Sequence, residues 1–246
     1  MKLYSWFSKL MILVMLFIPI SLTHAITMPL EIHELVDEAD IVVIGTVTSS
    51  LLVTNNVSTL SILDRRLGTL YGIHVDRVLY GKGAVKQGVF SESDTGTINM
   101  NLKRNCKRSP LKIYAFQSSP LNFSEGATYY KNRPQLFFLK TSAFPTSLPE
   151  TALIVSRSPL QRLSKADLTE TYYFEACFGI RQSTWDLAQQ QQKTELPTVE
   201  AFCAVMSITD TVQRKQRLQG LLNDDDALLA RNARAALKKI EQSRRE

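Results

Sequence analysis

The sequence predicts a mainly β protein with added helices, a strand-rich body followed by a C-terminal helical hairpin or bundle. Three observations carry that expectation. Residues 41–47 form a nearly continuous β-branched run, which suits a strand buried on both faces or at the centre of a closed sheet. Tyr71, Ile73 and Val75 alternate with Gly72, His74 and Asp76, which is the period of a half-buried strand. After Thr184 the apolar residues change to helical spacing.

Taken in order, residues 29–39 predict a short helix, because Leu30, Ile32, Leu35 and Val36 fall close to one face and Glu31, Glu34, Asp37 and Glu38 mostly on the other. The strand over 41–47 follows at once, and the more polar residues 51–67 predict a loop or an irregular strand end. The alternation that starts at Tyr71 slips at Arg77, so that Val78 and Tyr80 continue it on the opposite parity. Such a slip marks a β-bulge, which helps a sheet to curl. Gly81-Lys82-Gly83 predicts a turn and residues 85–90 a return strand. Residues 101–133 are rich in Ser, Asn, Lys and Pro, with one brief alternating stretch at 113–116, and predict a long functional loop. Further strands are predicted at 136–139, where Pro134 guards the start, at 153–156 and at 172–180.

Beyond Thr184, Gln189 to Gln192 form a polar tract that reads as a linker or helix edge. Pro197 sits at an expected helix start, with Val199, Phe202, Cys203 and Met206 at helical spacing. A second helix is predicted over 211–222. A third runs from Asp226 through Leu229, Ala233, Ala236, Leu237 and Ile240. Asn223 and Asp224-Asp225-Asp226 act as cap and turn, with acids at a helix N-terminus where the macrodipole favours them.

The first 25 residues read as a cleavable export signal. Lys2 and Lys9 supply positive charge, residues 10–22 an apolar run, and Thr23-His24-Ala25 a small-residue cut site. The run is interrupted by Pro19 and Ser21 and is shorter than the ~20 apolar residues of a spanning helix. The expected working chain is therefore residues 26–246, secreted or periplasmic, with a β domain over 26–183 and a helical region over 184–246. The whole sequence carries 29 basic and 23 acidic residues for a net charge of +6. Cleavage removes two of the cations, leaving a mild excess that is not by itself a nucleic-acid footprint.

The order of the first helix, Ala39-Asp40 leading into Ile41-Val42-Val43-Ile44-Gly45-Thr46-Val47, then Val75-Asp76-Arg77-Val78-Leu79-Tyr80-Gly81 and later Leu136-Phe137-Phe138-Leu139, resembles a known barrel type. It is similar to the OB-fold of tissue inhibitors of metalloproteinases and netrin modules, and to exported bacterial domains of unassigned activity, over residues 29–156. The resemblance implies an OB-like five-stranded barrel. In the inhibitors an N-terminal cysteine places its amine and carbonyl on the protease zinc. Here the expected mature N-terminus is Ile26 and no cysteine precedes Cys106, so that mechanism is not implied.

The chemistry-bearing residues are few. An oxidising compartment predicts one disulfide and one leftover thiol among Cys106, Cys177 and Cys203, with three pairings open and an all-reduced set as the alternative. Lys103, Arg104, Lys107 and Arg108 surround Cys106, an arrangement that would stabilise its thiolate or anchor an acidic surface; a solvated loop is the plainer reading. Asp94-Thr95-Gly96 matches the tripeptide of aspartic proteases, in which two aspartates share a proton. There is one copy, and a polar β-turn is the commoner source. After cleavage His33 and His74 are the remaining histidines, so a histidine-rich metal site is not expected, and neither is a cofactor. No G-x-S-x-G elbow, H-E-x-x-H, paired C-x-x-C, Walker loop or dinucleotide fingerprint occurs. Tyr71, Tyr80, Phe90 and Phe137 offer aromatic surface of the kind that stacks bases, but alternation points most of them inward.

The expected role is an exported binding module that contacts a protein or envelope component through the basic residues of 101–133, with Lys103, Arg104, Lys107 and Arg108 as candidate binding residues. The alternatives are a hydrolase using Asp94, a thiol enzyme using Cys106, or an envelope protein that assembles through its helical tail.

Overall fold

The computed structural model describes residues 31–56, 66–82, 112–118, 126–156, 162–164, 173–177 and 181–243. Within them the fold is mixed and β-rich, with one eight-stranded sheet and α-helices on both sides of it in sequence. Helix α1 is Ile32–Glu38, shorter than predicted, and the Glu34 carboxylate accepts from the Glu31 N–H at 2.8 Å to close its first turn. Its Ile32, Leu35 and Val36 are buried, as the periodicity requires.

Strand β1 (Ile41–Asn55) and strand β2 (Arg66–Gly81) form a long antiparallel pair. Of the two readings of 51–67, a loop or an irregular strand end, the second holds at both described margins, since 51–55 belong to β1 and 66–67 to β2. Thr48 is an extra residue between Val47 and Ser49 in the register, which resets the alternation and hides the second half of β1 from a period count. The slip predicted at Arg77 is present as two shifts that flank it. Val42 and Val43 face Tyr80 and Val78, leaving Leu79 extra, and Ile44 and Gly45 face Arg77 and Val75, leaving Asp76 extra. At Gly45 a Cβ would stand 2.4 Å from the His74 carbonyl oxygen, so the close approach of β1 to β2 needs glycine there.

Strand β3 (Lys112–Ser118) corrects the loop reading of 101–133. Its alternating residues are a full strand that pairs antiparallel with β2. Strands β4 (Pro134–Thr141), β5 (Ala152–Ser156), β6 (Arg162–Ser164), β7 (Tyr173–Ala176) and β8 (Thr184–Asp186) complete the sheet. β7 is shorter than predicted, because Cys177 has already left the strand. The pairings leave β1 through β2 and β3, cross in parallel to β7, and return through β4 to β1. β5 and β6 extend the far half of β1, and β8 pairs with β4.

Three apolar clusters fill this architecture. One takes side chains from every strand on the returning path, among them Val43, Ile73, Ala115, Phe137 and Phe174. A second lies under the long hairpin and contains Val53, Leu70, Phe116, Phe144 and Tyr173. The third joins α1 and the outer side of β1 and β4 to the C-terminal helices α2 (Gln190–Met206), α3 (Thr211–Gly220) and α4 (Ala227–Gln242). β4 serves two of them, with Leu136 and Phe138 on the helix side and Phe137 and Leu139 on the other. Burial on both faces explains why its sequence is an unbroken apolar run.

Pro197 lies inside α2 rather than at its start. The preceding turns are polar, and Thr194 Oγ1 donates to the Gln190 carbonyl at 2.8 Å, so the buried stripe begins only at Thr198. α3 ends at Gly220, with a 3-10 turn over Leu221–Asn223. No helix among the described residues is long and apolar enough to cross a membrane.

The α4 cap behaves as expected. Asp226 Oδ1 accepts from the Leu228 and Leu229 N–H groups at 2.9 and 3.2 Å, and Oδ2 accepts from the Thr198 hydroxyl. That hydroxyl first, and the two backbone donors after it, hold the carboxyl below its ordinary 3.8 against the opposing effect of burial. A lowered folded pKa means stability that is present above the unfolded value and lost as pH falls through the folded one. Asp226→Ala is expected to cost about 1 kcal/mol at pH 7. Urea midpoints should show the gap between parent and variant narrowing once pH drops below 3.8.

Candidate binding cleft between the helices

Asp94, Lys103, Arg104, Cys106, Lys107 and Arg108 lie outside the described residues, as do Phe90 and the export signal. Cys177 and Cys203 are both buried free thiols in the helix-side cluster, so the disulfide expected for the chain is not found at either. Burial pushes the Cys177 thiol up to about 12, with Glu38 adding to the effect, and it raises Cys203 in the same direction. Both are packed side chains whose burial disfavours the thiolate, the form a nucleophile needs.

The two histidines among the described residues are also accounted for. The His33 N–H donates to Asn232 Oδ1 at 2.8 Å, with ring Nδ1 3.3 Å from the same oxygen, tying α1 to α4. His74 Nε2 is 3.5 Å from Asp76 Oδ1 on the open face of β2. No group of side chains able to hold a metal ion occurs among the described residues. Of the aromatic candidates, Phe137 and Tyr71 pack on the cluster within the returning strands, and Tyr80 packs on the helix side. Tyr71 stacks on Tyr129 with centroids 4.3 Å apart and planes 13° apart, leaving neither ring as a free platform.

What the structure adds is a cleft of about 300 Å³ where α1, α2, α3 and α4 meet. Phe202 and Ala236, both buried, form its floor, with Met206 and Ile240 half-buried beside them. Phe202 and Met206 are one turn apart on α2, and Ala236 and Ile240 one turn apart on α4, so each helix presents a two-residue apolar step. His33, Asp37, Thr211, Arg214, Lys239 and Ser243 form the rim.

The rim is held by specific bonds. Lys239 Nζ pairs with the Asp37 carboxylate, joining α4 to α1, and Lys82 Nζ donates to the Asp37 carbonyl. Arg214 Nε donates to the Ile208 carbonyl at 2.8 Å, which fixes the guanidinium at the mouth. Burial raises the Tyr80 hydroxyl pKa, and the charge of Arg214 works against that rise.

Helical spacing puts Phe202, Met206, Ala236 and Ile240 on apolar helix faces, and nothing in the sequence marks a rim residue, His33 and Asp37 included, as part of a site. The i, i+4 spacing of Phe202 with Met206 and of Ala236 with Ile240 was the available signal for a shared face. That the two faces leave a recess depends on contacts such as His33 to Asn232, which no local pattern announces. No protein-family model matches the chain, and no curated protein matches it either.

Proposed function

We propose that the chain is an exported, non-catalytic binding module built on an OB-like five-stranded barrel, and that it contacts a protein or an envelope component. The single observation that carries the binding reading is the cleft, an open recess with an apolar floor and a few oriented charged groups, which is the usual form of a ligand site. The barrel reading is supported by the path of pairings that leaves and re-enters β1, with β3 and β7 parallel. Export is supported by the residue pattern of the first 25 positions. The basic group Lys103, Arg104, Lys107 and Arg108 supplies a second contact to an acidic surface.

The test is cross-linking and co-purification of the tagged protein from its native host, quantified by mass spectrometry for the parent and two variants. Arg214→Gln is expected to reduce recovery of the partner at least tenfold. Serine at 103, 104, 107 and 108 together is expected to weaken it further. Recovery unchanged in both variants would sink the reading; recovery unchanged only in the serine variant would reject the basic contact alone.

A further inference from the structure

The cleft has a definite charge and a definite size. Of its rim charges, the Asp37 carboxylate is already paired with Lys239. The charge left over is the guanidinium of Arg214, which meets no carboxylate within ion-pair distance among the described residues. Its one hydrogen bond, to the Ile208 carbonyl, uses Nε. Both Nη groups remain, and their planar fork matches the two oxygens of a carboxylate. Below this fork lie Phe202, Met206, Ala236 and Ile240, which offer nothing polar from their side chains.

Size narrows the ligand further. At roughly 30 Å³ per water-sized group, the recess holds on the order of ten non-hydrogen atoms. It is the size of a medium-length alkyl chain with one small head group.

We propose that the cleft binds a small amphiphile with a single anionic head, a monocarboxylate of about eight carbons in all. The carboxylate sits on the Nη groups of Arg214, and the tail lies on the step formed by Phe202, Met206, Ala236 and Ile240. A cationic head is disfavoured because Arg214 and Lys239 both face the mouth and Asp37 is spoken for. This inference rests on the cleft being a binding site and specifies what it takes.

The experiment is isothermal titration calorimetry of sodium octanoate into the purified protein. Saturable one-to-one binding is expected, with a Kd on the order of 100 µM for a ligand of this size. 1-Octanol and octylammonium should bind at least tenfold more weakly, and acetate not detectably. Arg214→Gln should weaken octanoate at least tenfold. Ser243→Trp places a bulky ring at an exposed rim position, where it should block the mouth without disturbing the melting temperature, and should weaken octanoate as strongly. Absent saturable binding, equal binding of octylammonium, or indifference to both substitutions would each overturn the proposal. Removing residues 244–246 should leave affinity unchanged; a tenfold rise would give the cleft to the chain's own terminal carboxylates and overturn it as well. If octanoate fails to bind while Arg214→Gln still loses the cross-linked partner, the ligand class is rejected and the binding-module reading stands. If octanoate binds and is lost in both variants, the ligand class is supported even where no partner is recovered.

Discussion

A chain ended after Leu187, without α2, α3 and α4, is expected to lose its fold rather than to leave a free-standing sheet. The helix-side cluster is shared. Val42 on β1, Tyr80 on β2, Leu136 and Phe138 on β4, Trp185 on β8 and the apolar face of α1 are buried in it together with Val199, Phe202, Leu218, Leu229 and Leu237 of the C-terminal helices. Deletion would bare the first group of side chains. At about 1.5–3 kcal/mol for each large apolar side chain returned to water, the loss is on the order of 10 kcal/mol. A protein of ordinary stability holds roughly 5–15 kcal/mol in all, so little or nothing remains. Trp185 provides the readout, since its ring packs on Phe138 with centroids 5.7 Å apart and its Nε1–H donates to the Gln182 carbonyl at 2.9 Å. Near-ultraviolet circular dichroism and size-exclusion chromatography should report an aggregated or molten product. A soluble monomer with a cooperative melt would show that the strands fold alone, and would return the helices to the status of an appended domain.

That shared cluster also explains what could and could not be read from residues alone. α1, β4 and α4 were legible because each carries a strong apolar period or run and a physical start signal, such as Pro134 as the first residue of β4 or Asp226 at the α4 cap. The bulges around Arg77 were legible because a change of parity inside one strand has few other causes. β3 was not, since Lys112 and Gln117 frame its apolar residues and polar stretches precede and follow it; its strand state comes from pairing with β2 and β7, elements remote in sequence. The far half of β1 was lost to one extra residue, Thr48. The start of α2 was misplaced because Pro197 resembles a first-turn proline, while the true start is a glutamine tract with no buried face. The cleft is a tertiary object altogether. Asp37 and Lys239, or His33 and Asn232, meet only because α1 and α4 pack together from opposite ends of the described chain.

Phe137→Ala is expected to destabilise the protein by about 3–5 kcal/mol, the range for an aromatic removed from a sealed core. Phe137 has no exposed surface, and its ring lies with Val43, Ile73, Ile113 and Phe174 among side chains supplied by each strand of the returning path. β1 pairs with β2 on one side and β4 on the other, so the surrounding backbone is bonded around much of the site and has little freedom to collapse into the space vacated. Poor relaxation puts the cost toward the upper part of that range. The neighbouring substitution Phe138→Ala is the control, because Phe138 is equally buried but faces the helices on the opposite side of β4. Both variants should shift the urea midpoint, with slopes unchanged if the cores unfold together. They should part company in the cleft. Phe138 belongs to the cluster that includes Phe202, the cleft floor, whereas Phe137 belongs to the cluster on the far side of the strand. Octanoate titration under native conditions should therefore leave Phe137→Ala at the parent affinity and weaken Phe138→Ala. Equal loss of binding in both would mean that the cleft depends on the whole sheet, not on the helix-side packing that frames it.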